Sequence, residues 1–165
     1  MSGSEKLEVT TPSDTEITMS RHFDAPPELV WDAYTRPELV KQWLYGQEKW
    51  KLGVFELELR PGGRVRYEWH GPDGEVMGLT GEVREADPPR RLVHTELFDE
   101  DWTGGETVVT LTFEPAGQGG TLLHMNILYT SKEARDGALE TPMAEGVEMG
   151  YGRLDALLGR LAASR

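Results

Sequence analysis

From Glu16 to Phe23, Ile17, Met19, Arg21 and Phe23 alternate with Thr18, Ser20 and His22, the period of two expected of a half-buried strand. The period then changes. Asp24 is placed to cap a helix, Ala25-Pro26-Pro27 turns into it, and Leu29, Val30, Ala33 and Tyr34 recur at helical spacing until Arg36-Pro37 ends the run. A second short helix is expected from Pro37 to about Trp43, with proline in its first turn. Alternation then returns: Phe55, Leu57 and Leu59 against Glu56, Glu58 and Arg60, and, after Pro61-Gly62-Gly63, Val65, Tyr67 and Trp69 against Arg64, Arg66, Glu68 and His70. Gly71-Pro72-Asp73-Gly74 closes that pair. Further strands are read at about 76–85, 92–98, 107–114 and, after Ala116-Gly117-Gln118-Gly119, at about 120–129.

Residues from about 131 to 163 are helical in pattern, with a break near Thr141-Pro142. Beyond the break, Met143, Val147, Gly150, Tyr151, Leu154, Leu158 and Leu161 form a broad stripe, with Glu145, Glu148, Arg153, Asp155 and Arg160 largely off it. A sheet with one polar face needs a cover for the other, and this helix is the only long amphipathic element available. The expected fold is therefore α+β: a curved seven-stranded antiparallel sheet around a long C-terminal helix, with two short helices after the first strand.

Composition narrows the partners. The 165 residues suit one domain, expected over 15–165, behind a polar, flexible arm at 1–14. Lys plus Arg number 17 against 29 Asp plus Glu, a net charge of -12 that repels polyphosphates and anionic lipid, so neither nucleic acid nor membrane is an expected partner. The opening fourteen residues have no signal-peptide pattern and no later stretch reaches the ~20 apolar residues of a membrane span. With no cysteine, the chain reads as a soluble cytoplasmic protein without thiol chemistry.

Chemically suggestive residues are few. His22, His70 and His124 lack metal-ligand spacing and are expected in water; no metal site and no cofactor are expected. Ser20 and Ser131 sit in no nucleophile elbow, and Gly117-Gln118-Gly119-Gly120 lacks the lysine of a phosphate loop. Gly146, Gly150, Gly152 and Gly159 each cost about 1 kcal/mol inside a helix. Close packing, end fraying or room for a cavity would each account for them. Along 92–98, Val93, Thr95 and Leu97 oppose Leu92, His94, Glu96 and Phe98, so the strand's inner face is ambiguous. His94 and Glu96 point the same way, roughly 7 Å apart at the backbone. Either both face solvent, or His94 is held by a core hydrogen bond, or the pair lies inside. Trp43, Tyr67, Trp69, Met77, Phe98, Phe113, Met125, Met143 and Tyr151 fall at inward or helix-facing positions, enough to fill an ordinary core or to wall a pocket.

The order of elements resembles the START-like superfamily, a helix-grip architecture that includes pollen allergens and lipid-transfer domains. Two opening runs, 24–31 (DAPPELVW) and 37–43 (PELVKQW), are similar to the family named for the activator of Hsp90 ATPase homologue, in its bacterial branch. So are PPRRLV at 88–93, FDE at 98–100 and YTSKEARD at 129–136, and the likeness runs from about 15 to 163. The Gly-Trp of many relatives' last helix is Gly150-Tyr151 here. The resemblance implies a cavity between sheet and last helix into which His94, Glu96 and Phe98 point, with Leu79, Leu111, Ile127 and Val147 joining the aromatic and methionine wall. It implies no shared catalytic set. Three functions follow as expectations: binding of a small apolar ligand, with His94 and Glu96 as polar contacts; an Hsp90-type co-chaperone or stress-response role, favoured by an exposed apolar patch at Trp43, Leu44, Tyr45 and Trp50; and catalysis on a hydrophobic substrate by a buried acid or base. A monomer or weak homodimer is expected.

Overall fold

A computed structural model describes residues 6–164. The elements run β1 (Glu8–Thr10), β2 (Glu16–Phe23), α1 (Pro27–Thr35), α2 (Pro37–Val40), β3 (Lys51–Leu57), β4 (Arg64–His70), β5 (Val76–Asp87), β6 (Arg91–Phe98), β7 (Thr107–Ala116), β8 (Gly120–Leu128), α3 (Lys132–Leu139) and α4 (Met143–Ala163). One antiparallel sheet takes the order β1-β2-β8-β7-β6-β5-β4-β3. This is the expected α+β arrangement with one correction: eight strands replace seven.

The additional strand lies within the expected arm. Glu8, Val9 and Thr10 pair with Ser20, Met19 and Thr18, and all three are exposed, so no apolar alternation marked them as a strand. The first five residues of that arm lie outside the described residues. At the opposite edge, β3 begins at Lys51 and shifts register between Leu52 and Val54, while Leu59 falls beyond the strand and is exposed. The second helix is a single turn ending at Val40.

Local sequence explains where the helices start. Proline opens α1 and α2, where its missing N–H leaves no helical bond unmade. Ser131 caps α3 by accepting the Ala134 amide at 3.0 Å. Pro142 precedes α4, whose buried residues include Tyr151, Leu154 and Leu158 of the expected stripe together with Leu157. Each such leucine contributes about 1.5–3 kcal/mol by leaving water. Arg21, buried on β2, reaches Asp155 of α4 at 3.6 Å and lies 4.8 Å over the Phe23 ring, which explains a cation on the strand's inner face.

Helix α4 covers the sheet unevenly. Near its middle, Tyr151 makes edge contact with Phe23 at 5.3 Å and packs beside Trp43 at 5.9 Å. The segment after α2 is held by two indole donors: Trp43 Nε1 donates to the Ala33 carbonyl at 2.8 Å and Trp69 Nε1 to that of Leu44 at 2.9 Å. Met143, Gly146, Val147, Gly150 and Tyr151, in the first half of α4, face an open space above the sheet, and that gap positions the site. Among the described residues, no helix is long and apolar enough to cross a membrane.

Candidate functional site

The gap is a cavity of about 510 Å3 bounded by the sheet, α4 and the 43–50 segment. From the sequence-derived set, Trp43, Tyr67, Trp69 and Leu79 wall the β3–β5 side. Phe98, Leu111, Met125 and Ile127 form the floor on β6 to β8, and Met143, Val147 and Tyr151 close it from α4. Met77 also borders the space, but at 44 % exposure it stands on the rim rather than inside. Phe113 does not line it. The ring is buried 5.3 Å from Trp31 and 5.9 Å from Tyr34, because β7 outruns the cavity and its far end lies under α1.

His94 and Glu96 are inside. His94 is 2 % exposed and the Glu96 side chain 20 %, and His94 Nε2 meets Glu96 Oε2 at 2.9 Å, which discards the solvent-facing alternative. An ionised carboxylate only accepts, so Nε2 carries the hydrogen of this bond. His94 Nδ1 is sealed from solvent without a partner. The strand positions both groups: His94 sits across from Val83 and Val109, Glu96 across from Thr107, and Thr107 Oγ1 donates to the Glu96 carbonyl at 3.3 Å. Gly81 makes this course possible, since a Cβ there would overlap the Thr95 carbonyl.

Sequence reasoning left out several wall residues, among them Tyr34, Phe55, Val109 and Tyr129. Tyr34 and Phe55 lay on recognised apolar stripes, which was the available signal. Phe55 stacks on Tyr67 at 4.6 Å, and Tyr34 Oη lies 3.0 Å from Tyr151 Oη. Among the described residues, Tyr129 Oη donates only to the Met143 thioether at 3.6 Å, and Tyr67 makes no hydrogen bond through its phenol. Burial, helped by the Glu96 charge, raises the Tyr67 phenol far above its ordinary range and pushes Tyr129 up to about 12. Burial likewise raises Tyr34 and pushes Tyr151 up to about 12.

The mouth carries the remaining surprises. Leu44, Tyr45 and Trp50 are half-buried and Trp43 is 1 % exposed, and all four line the cavity rather than forming an exposed patch. Arg153 of α4 lies 4.0 Å over the Tyr45 ring and donates to the Gly46 carbonyl at 2.6 Å, tying helix to loop beside the opening. Gly146 is exposed at the border of the cavity and a Cβ there would meet nothing within 4 Å, whereas one on Gly150 would touch Trp43 at 3.7 Å, so close packing accounts for Gly150. The other histidines are not free in water. All three are half-buried; His70 pairs with Glu68 at 3.2 Å, and His124 bridges Ser20 and Glu114, each at 2.7 Å.

Solved structures share this architecture. A Rhodobacter sphaeroides protein is 42 % identical with a TM-score of 0.88, over 93 % of this chain and 98 % of its own. A Mycobacterium smegmatis protein is 30 % identical with a TM-score of 0.79, over 93 % and 97 %. One from Nitrosomonas europaea, 22 % identical, shares the fold at a TM-score of 0.80 over 93 % and 99 %. No curated protein matches the chain. The family model described as Activator of Hsp90 ATPase homolog 1-like protein matches residues 24–159, and the chain belongs to that family.

Proposed function

We propose that this protein binds a small, largely apolar molecule in the cavity between the sheet and α4. One observation carries the reading: about 510 Å3 stays open between elements whose aromatic and methionine side chains line the space without filling it. A well-packed interior leaves few voids larger than a water molecule. The volume falls within the ~300–1,000 Å3 of small-molecule sites, and the wall combines apolar surface with a few convergent polar groups, as such sites do. Apolar contact would supply the affinity, at about 25 cal/mol per Å2 removed from water, and the polar groups the orientation.

Uptake of the neutral fluorophore N-phenylnaphthylamine tests it. Saturable one-to-one binding with enhanced emission is expected. Gly146→Trp, which places an indole in the open space at that position, should weaken uptake about tenfold, equivalent to ~1.4 kcal/mol, with an unchanged melting temperature. Absence of saturable uptake, or a plugged variant that binds as well as the parent, would refute the reading.

A further inference from the structure

The cavity's polar groups are unequal in sign. Glu96 Oε2 is occupied by His94, but Oε1 makes no hydrogen bond among the described residues. With hydrogen on Nε2, the sealed Nδ1 of His94 holds a lone pair; a second proton there would be a buried donor without an acceptor. The dyad therefore presents the carboxylate's negative charge to the cavity. Among the described residues no lysine lines the wall, and the one arginine that does, Arg153, is engaged at the mouth with Gly46 and Tyr45. Tyr67, which lines the same cavity as Glu96, stacks with Phe55 and makes edge contact with Trp69 at 6.0 Å. Aromatic faces attract cations. A carboxylate in an apolar enclosure is costly unless charge or donors meet it.

Resting on the apolar-ligand reading above, we propose that the occupant is a hydrophobic amine whose ammonium group hydrogen-bonds Glu96 Oε1 among these rings. A fatty acid or other apolar carboxylate is the ligand this cavity rejects, because it would bring a second anion to Glu96 with no cation to offset either. Specificity would then come from repulsion as much as attraction.

Three probes of matched body separate the possibilities: naphthylethylamine, naphthylethanol and naphthylacetate, titrated at neutral pH and physiological salt by calorimetry, with quenching of the cavity tryptophans as a second readout. The amine should bind at least about tenfold tighter than the carboxylate, with the alcohol between them. Glu96→Gln should remove most of that preference. The remaining net charge is almost the same, so a preference surviving in the variant would assign it to the whole molecule's field and overturn the role of Glu96. Equal affinities, or a favoured carboxylate, in the parent protein would overturn the amine inference while leaving the cavity reading intact. Failure of all three to bind would remove the cavity reading and this inference with it. The parent ranking stands as a test even if Glu96→Gln does not fold.

Discussion

Two glycines make opposite demands. At Gly81 the β5 backbone lies so close to β6 that a methyl group would overlap the Thr95 carbonyl, and the nearest relief is movement of the strand that carries His94 and Glu96. Gly81→Ala should therefore destabilise by about 2–3 kcal/mol, as overpacking against backbone does. Gly152 is exposed in α4 with nothing within 4 Å of a Cβ, so Gly152→Ala should stabilise by about 0.5–1 kcal/mol through backbone propensity. Urea melts of both variants check the pair. An unchanged midpoint for Gly81→Ala would mean that the close approach is not required. The same strand shows why the dyad's orientation was ambiguous in sequence. Thr95, on the side away from the cavity, is 1 % exposed, with Gly81 of β5 packed against it and the Glu82 amide donating to its hydroxyl at 3.0 Å. With Thr95 buried and Leu97 exposed on the same side, the strand gives no clean alternation, and only likeness to a family pointed His94 inward.

At the scale of elements, α4 depends on one buried polar contact with α1. The hydroxyls of Tyr34 and Tyr151 lie 3.0 Å apart, with Tyr151 buried and Tyr34 half-buried against the cavity. Tyr34→Phe or Tyr151→Phe alone should cost about 1–2 kcal/mol, since each strands a buried hydroxyl; the double variant should cost less than the sum. Additive losses in thermal or urea unfolding would show that the hydroxyls do not depend on each other. The elements themselves were largely readable, for identifiable reasons. Residues of β2 alternate without interruption because α4 covers one face and the other faces outward, and the β7–β8 turn is written in Ala116-Gly117-Gln118-Gly119. What stayed hidden lacked burial. Glu8–Thr10 is exposed and paired to β2, with only the adjoining Leu7 buried, and the short 41–50 segment owes its path to indole bonds with Ala33 and Leu44, which no local pattern encodes.

For the whole molecule, the phenols gathered around the cavity set an alkaline limit. Tyr34, Tyr67 and Tyr151 ionise in the unfolded chain near ~10. In the fold, burial raises all three, Tyr151 to about 12. Above the unfolded value the native state holds more protons than the unfolded state, so stability falls as pH rises. That contribution is fully present below ~10 and is lost as pH climbs toward the native values, with each of these phenols removing about 1.4 kcal/mol per pH unit. Three groups acting together would remove about 4 kcal/mol per unit, a large share of the ~5–15 kcal/mol that holds an ordinary domain. Circular dichroism and phenolate absorbance followed together should therefore show the fold collapsing between pH 10 and about 12, with most phenolate appearing in the same transition rather than before it. A protein whose tyrosines titrate fully near ~10 while its secondary structure persists would mean that water reaches these hydroxyls freely, and that the cavity wall is not closed around them.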